Sequence, residues 1–343
     1  MNARAFISGV SGQTLTADER AFLREQQPWG FILFKRNVDS PAQVRDLVAS
    51  LRDCIGSPDA PVLIDQEGGR VQRLGPPHWP IYPPGAVFGV LYDQSPDLGL
   101  RAARLAAALI ACDLADLGVT VDCLPLADVP VSGADAVIGN RAYGTEPGKV
   151  AAIARAVADG LRQGGVLPVL KHIPGHGRAT ADSHLRLPVV ETPRAELDRT
   201  DFAAFRPLAD LPMAMTAHVV FSAIDPAQPA TTSATMIADV IRGAIGFQGL
   251  LMSDDVSMNA LAGSIAERTR AIFAAGCDIV LHCNGNLDEM RAVASETPLL
   301  AGAARSRAAA ALAARTAPDP DFDREAGRNE LEILIRRVGE MTV

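Results

Sequence analysis

The chain has 343 residues, of which 48% are hydrophobic and 21% are charged. This composition is ordinary for a globular protein, and it excludes the disordered, collagen-like and disulfide-rich classes. Acidic residues outnumber basic ones by 40 to 32 and no basic run dominates, so nucleic acid is not an expected partner.

The apolar segments and the cysteines indicate where the protein works. The apolar run in the first twelve residues, MNARAFISGVSG, is too short for a signal peptide. The most apolar stretch, Leu98 to Gly118, carries arginines and aspartates, so it is expected to be a buried helix rather than a membrane span. The five cysteines form no CxxC pair and are odd in number, which favours reduced thiols. We expect a cytoplasmic protein with no membrane attachment and no obligate protein partner.

Eight short runs of strand-forming residues alternate with helical patterns along the chain. The runs begin near residues 5, 30, 61, 119, 166, 213, 249 and 278. Capping-box signals at Thr16 and Ser40 mark the first two helices. Further helices are expected over about residues 98–117, 146–163, 193–208, 233–244, 258–275 and 322–338.

The strand pattern predicts the fold class. Strands that are apolar throughout, each followed by a helix, indicate a parallel sheet that is buried on both faces. We therefore predict an α/β fold, a (β/α)8 TIM barrel, as a single domain over residues 1–343, with a C-terminal helix at about 322–338 packed on the barrel. A doubly wound open sheet is the alternative, but no strand is followed by the glycine fingerprint for a dinucleotide.

The segment KHIPGHGRATADSH, residues 171–184, contains three of the six histidines. On a helix, the spacing of His172 and His176 would suit zinc, but Pro174 and the flanking glycines disfavour a helix. The glutamate of the H-E-x-x-H motif is also missing, so a metal site borne by a loop is the remaining metal alternative. The glycines instead favour a mobile loop that lacks a large apolar anchor and carries a movable proton carrier at its far end.

Polar residues follow the predicted strands at their carboxyl ends, which is where TIM-barrel enzymes have their active sites. These residues are Asp65, Arg141, Lys171, His172, His218, Asp254 and Asp255. Charges that converge in a partly dry cavity cost desolvation energy unless a ligand uses them. A ligand with several hydroxyl groups would satisfy them.

Five motifs occur in order across most of the chain: ILFKRN, IDQEGGRVQR, VIGNRAYG, KHIPGHG followed by DSH, and MSDDVSM. Together they resemble the family 3 glycoside hydrolases of the bacterial β-N-acetylglucosaminidase type. The resemblance implies a retaining exo-enzyme that removes terminal N-acetylglucosamine. Short members of this type act in peptidoglycan recycling on N-acetylglucosamine linked to 1,6-anhydro-N-acetylmuramic acid, with or without peptide. No cofactor or metal is expected, because sugar contacts account for the charges.

The resemblance also implies roles for individual residues. Asp254, directly after a serine, matches the nucleophile, whereas Asp255 is expected to support local structure because adjacent strand residues point to opposite faces. His184 matches the general acid/base, and Asp182 would orient its ring. The positions that match sugar-binding residues are Asp65, Arg73, Arg141, Lys171 and His172. Neither His176 nor His218 receives a catalytic role.

Three other functions fit parts of the same pattern. A phosphorylase on this fold would use phosphate in place of water, and a histidine acid/base would admit that anion more readily than a glutamate. A metal-dependent barrel hydrolase would use the histidines as ligands. A catalytically silent glycan-binding protein would have no need of the nucleophile and the Asp-His pair.

Overall fold

The structure, a computed structural model, describes residues 3–179, 181, 183 and 186–339. Within these residues, eight parallel strands close into a barrel, in which each strand pairs with the next along the chain and the last pairs with the first. The strands are β1 Arg4–Ser8, β2 Pro28–Leu33, β3 Val62–Ile64, β4 Val121–Asp122, β5 Leu167–Ile173, β6 Met213–Thr216, β7 Leu250–Asp255 and β8 Ile279–His282. The predicted (β/α)8 TIM barrel is confirmed.

Helices surround the barrel. They are α1 Ala17–Gln26, α2 Pro41–Ile55, α3 Gly85–Gln94, α4 Pro96–Ala115, α5 Pro147–Gln163, α6 Arg194–Arg199, α7 Asp201–Phe205, α8 Ile265–Ala275, α9 Leu287–Glu296, α10 Gly302–Ala313 and α11 Arg324–Gly339. A π-helix, Met236–Ala244, follows β6. Among the described helices, none combines the length and the apolar character that a membrane crossing needs.

The strands are buried on both faces, as their uniformly apolar sequences require. In β2, the side chains of Phe31 and Leu33 pack in the layer between the strands and the helices. Ile32, between them, belongs to a second cluster together with Leu63 and Met213 of other strands, which fills the barrel interior. Alternation along each strand therefore builds two apolar layers from one short segment.

The last two helices pack on the barrel from different sides. Ala308 of α10 belongs to the apolar cluster of the barrel interior. Helix α11 packs against α3 and α4 through the buried side chains of Leu331 and Leu334. Arg328 Nη2 of α11 also forms an ion pair with Asp113 Oδ1 at 3.0 Å.

Several predicted boundaries are wrong, for local reasons. The helix expected from residue 258 begins at Ile265, because Ser264 and Glu267 form the capping box at its start. The strand expected from residue 119 keeps only Val121–Asp122, since Pro125 has no N–H for a ladder. The helix expected over 193–208 is two short helices and a turn. Helices α3, α9 and α10 were not predicted.

Candidate active site

A cavity lies at the carboxyl ends of the barrel strands, and most of the predicted site residues line it. These are Asp65, Arg73, Arg141, Lys171, His172 and Asp254. They come from β5, β7 and the loops that follow β3 and β4. The other two predicted residues, Asp182 and His184, lie outside the described residues.

Asp65 follows β3 directly and stands between two cations. Its Oδ1 is 2.9 Å from Lys171 Nζ, and its Oδ2 is 3.0 Å from Arg73 Nη2. Burial by itself would raise the pKa of Asp65, but the positive charges of Lys171 and Arg73 outweigh burial and hold the pKa well below its usual range. Asp65 is therefore a carboxylate, which can accept charge-assisted hydrogen bonds from a ligand.

Glu67, which sequence reasoning missed, forms ion pairs with two of the predicted site residues. Its Oε1 is 2.6 Å from Lys171 Nζ and 2.8 Å from Arg141 Nη2, and its Oε2 accepts a hydrogen bond of 2.9 Å from Arg141 Nε. Burial opposes ionisation, but the charges of Lys171 and Arg141 lower the pKa of Glu67 to about 2. The sequence did contain a signal for Glu67. In extended chain, side chains two residues apart point to the same face, and Glu67 stands two residues after Asp65 in the motif IDQEGG.

The two cations that Glu67 bridges are themselves buried. Burial would lower the pKa of Lys171, but Asp65 and Glu67 outweigh it and raise that pKa above its usual value. The same balance, again dominated by Glu67, raises the pKa of Arg141. Both side chains thus stay charged at the cavity wall.

His172 at the end of β5 is oriented by Asp128, a second residue that sequence reasoning missed. His172 Nδ1 lies 2.7 Å from Asp128 Oδ2. Asp128 has a lowered pKa because its contacts with His172 outweigh its complete burial, so it is a carboxylate and accepts the Nδ1 proton. Nε2 is then the ring nitrogen that can meet a ligand in the cavity. The position of Asp128, at the end of the run PLAD after β4, was the available signal.

The two aspartates that end β7 differ in their contacts. Asp255 Oδ2 accepts from Ser257 Oγ at 2.6 Å, and its Oδ1 accepts from the backbone N–H groups of Ser257 and Cys283, each at 3.1 Å. Asp254 is also at the cavity wall, and its Oδ1 accepts from the N–H of Asp255 at 2.8 Å. Asp255 is thus committed to its own loop, as a supporting residue would be.

His218 is fully buried and hydrogen-bonded, and burial lowers its pKa. Its Nε2 donates to the backbone oxygen of Asp255 at 2.9 Å, and its Nδ1 lies 2.8 Å from Thr231 Oγ1. His218 therefore fixes the backbone at the end of β7.

The loop after β5 is expected to open at little cost because it lacks a large apolar anchor, but its described first part is held by other contacts. These contacts are close backbone approaches and an ion pair rather than apolar packing. A Cβ on Gly177 would lie 2.1 Å from the backbone oxygen of Val129, so the chain can approach Val129 only as glycine. Ala179 O accepts from Asp135 N at 2.8 Å, and Arg178 Nε donates to Asp201 Oδ2 at 2.6 Å. Alanine at Gly177 would therefore disturb packing rather than test loop mobility.

Replacement of Glu67 by glutamine should destabilise the protein markedly. Lys171 and Arg141 would keep their buried charges but lose a shared partner, and breaking a buried pair in this way typically costs about 3–5 kcal/mol. The free energy of unfolding, measured by urea denaturation, reports the loss. As the matched control, Glu330→Gln removes a carboxylate from the exposed pair with Arg101 and should cost much less. Equal effects of the two changes would contradict the role given to Glu67.

Among the described residues, no three His, Cys, Asp or Glu side chains lie close enough together to hold a metal ion. Asp182 and His184 are not covered by that statement. The absence of a metal requirement therefore stays a prediction.

The chain resembles known proteins along most of its length. The N-terminal domain of glycosyl hydrolase family 3 matches residues 7–305. A β-hexosaminidase of Alkalilimnicola ehrlichii is 40% identical over 282 residues, which are 81% of this chain and 80% of that protein. NagZ from Neisseria gonorrhoeae in complex with N-trifluoroacetyl-D-glucosamine has 30% identity and a TM-score of 0.85, with 98% of this chain and 97% of that chain covered.

A second structure of the Neisseria protein is a complex with zinc ion. It has 28% identity and a TM-score of 0.83, over 98% of this chain and 97% of that chain. The family match, the barrel and the charged cavity at the carboxyl ends of its strands agree with one another. The chain belongs to glycosyl hydrolase family 3, and it is a glycoside hydrolase.

Proposed function

We propose that this enzyme is a retaining exo-β-N-acetylglucosaminidase of peptidoglycan recycling. Its substrate would be N-acetylglucosamine linked to 1,6-anhydro-N-acetylmuramic acid, with or without peptide. The observation that carries the proposal is that Asp65, ionised between Lys171 and Arg73, lines the same cavity as Asp254. The names of the relatives, a β-hexosaminidase and a complex with an N-acylated glucosamine, support the choice of sugar.

The polar wall of the cavity suits a terminal sugar. The carboxylate of Asp65 can accept hydrogen bonds from hydroxyl groups, while Lys171, Arg73 and Arg141 can donate to hydroxyl or amide oxygens. Charge-assisted bonds of this kind fix orientation as well as affinity. Binding energy at the non-reacting hydroxyls then holds the anomeric carbon near its nucleophile.

The chemistry follows the two-step course of retaining glycosidases. A carboxylate oxygen of Asp254 would bond to the anomeric carbon while the glycosidic C–O bond breaks, and His184 would protonate the departing oxygen. A water molecule would then attack the anomeric carbon of the glycosyl-enzyme, give its proton to His184 and release Asp254. Two displacements at one carbon retain its configuration. The roles of His184 and Asp182 rest on the family resemblance.

The proposal is tested by mass analysis of the products from the anhydro-disaccharide, with and without its peptide. Free N-acetylglucosamine and the anhydro-muramyl product are expected in water and in phosphate buffer alike. A sugar phosphate that forms only in phosphate buffer would assign the protein to the phosphorylases. No cleavage of either substrate would refute the proposed substrate class.

We also propose that the enzyme acts in the cytoplasm. The support comes from its five cysteines, which are buried free thiols, since disulfides are rare in reducing compartments. Fractionation of cells that express the native gene, with an activity assay of each fraction, tests this proposal.

Chelators should leave the activity unchanged. The carboxylates that line the cavity are balanced by the charges of Arg73, Arg141 and Lys171, so no metal ion is needed to neutralise them. The zinc complex of the Neisseria relative makes this measurement informative. The enzyme is dialysed against a strong chelator, assayed, and assayed again with added zinc. Loss of activity on dialysis that zinc restores would revive the metal-dependent alternative.

A further inference from the structure

Two residues of the loop after β5, His176 and Ser183, meet at the cavity wall. Each is 3% exposed, and His176 Nε2 lies 3.1 Å from Ser183 Oγ. Both side chains line the cavity. Neither residue belongs to the proposed sugar-binding set around Asp65.

His176 is firmly held on the side of the barrel. Its backbone N–H donates to Asp128 Oδ1 at 2.6 Å, and the same carboxylate orients His172. Burial and the neighbouring His172 lower the pKa of His176 to about 4. The ring is therefore neutral near pH 7, and a neutral imidazole can share one hydrogen bond with a hydroxyl group without an added charge.

Ser183 is held from a second side by the loop after β7. Ser183 O accepts a hydrogen bond from the N–H of Ala260 at 3.1 Å. This loop follows Asp254 and Asp255, the last residues of β7, and its Met258 N donates to Asp255 O at 3.1 Å. Ser183 thus connects the loop after β5 to the loop that directly follows the strand of the proposed nucleophile.

Ser183 is adjacent in sequence to both residues of the proposed acid/base pair. In the sequence it stands between Asp182 and His184, so it is covalently linked to both members of the proposed acid/base pair. A general acid must come within about 2.6–3.2 Å of the oxygen it protonates. A misplacement of about 1 Å can cost on the order of 100-fold in rate.

We propose that the hydrogen bond between His176 and Ser183 is a clamp that positions the general acid/base for proton transfer to the leaving group. His176 and Ser183 are positioning residues in this proposal, because they act through His184. The inference rests on the proposed function, because it requires His184 to be the acid.

The clamp is tested by kcat/KM on two N-acetylglucosaminides, an alkyl glycoside with a poor leaving group and a dinitrophenyl glycoside with a good one. Ser183→Ala and His176→Phe should lower kcat/KM for the alkyl glycoside by about 10- to 100-fold. Neither change should have much effect on the dinitrophenyl glycoside, because its departure needs no proton. His176→Gln places an amide near the position of Nε2 and should recover most of the loss.

Ser233→Ala is the matched control. Ser233 is also buried, and its Oγ bonds to Asp225 Oδ2 at 2.5 Å away from the cavity. Its loss should lower thermal stability without changing the ratio of the two substrates. Equal losses on both substrates in Ser183→Ala and His176→Phe, or no recovery in His176→Gln, would mean that the contact is only structural and would overturn the clamp.

The double variant Ser183→Ala with His184→Ala separates the clamp from the proposed function. If the clamp acts through His184, the double variant should be no slower on the alkyl glycoside than His184→Ala alone. Additive losses would overturn the clamp and leave the proposed function standing. If His184→Ala has no preference for good leaving groups, the proposed acid is wrong and the clamp fails with it.

Discussion

Asp254→Ala should lower kcat by a factor on the order of 10⁴–10⁶, the range typical when the nucleophile of a covalent mechanism is removed. Without this carboxylate the glycosyl-enzyme cannot form. The measurement is kcat on the dinitrophenyl glycoside. Binding of N-acetylglucosamine should persist, because Asp65, Lys171 and Arg141 remain in place.

Two additions make the Asp254 experiment decisive. Azide should restore turnover and give the α-glycosyl azide, since a small anion can attack once from the face that the carboxylate has left. Asp255→Asn is the matched control, and its defect should appear mainly as lost stability, because Asp255 bonds to Ser257 and Cys283. A larger loss of kcat in Asp255→Asn than in Asp254→Ala would exchange the two roles.

His184→Ala should lower kcat/KM for the alkyl glycoside by about 10²–10⁴, the usual contribution of general acid–base catalysis. The loss on the dinitrophenyl glycoside should be far smaller, because that leaving group departs as a stable anion. The ratio of the two kcat/KM values is the measurement.

Azide also tests whether the glycosyl-enzyme still forms when His184 is absent. With the dinitrophenyl glycoside, the His184→Ala glycosyl-enzyme should react with azide to give the β-glycosyl azide, because Asp254 still forms the intermediate. His78→Ala, a change at an exposed histidine, is the control and should leave both substrates unaffected. Equal losses on both substrates in His184→Ala would remove the acid role.

The barrel and the cavity residues could be predicted because both depend on local pattern. A strand buried on both faces has a continuous apolar sequence, and the residue at its carboxyl end must lie at the rim. Asp65, Lys171 and Asp254 could therefore be placed from sequence alone. Asp182 and His184 stay predictions, because they lie outside the described residues.

The partners of these residues could not be predicted, because they depend on which loops meet in space. Glu67 bridges Lys171 and Arg141 from strands and loops far apart in the sequence, and Asp128 reaches both His172 and His176. The helix α10 was missed for another reason: its alanine-rich sequence has no clear apolar stripe, so periodicity gave no signal.

The proposed mechanism depends above all on a covalent bond between Asp254 and N-acetylglucosamine. The most direct measurement is incubation with 5-fluoro-N-acetylglucosaminyl fluoride, which forms the glycosyl-enzyme faster than water removes it, followed by peptide mass mapping. One adduct per chain is expected, on Asp254, and none in the Asp254→Ala variant. An adduct on Asp255, or turnover of the reagent with no adduct, would contradict the proposed mechanism.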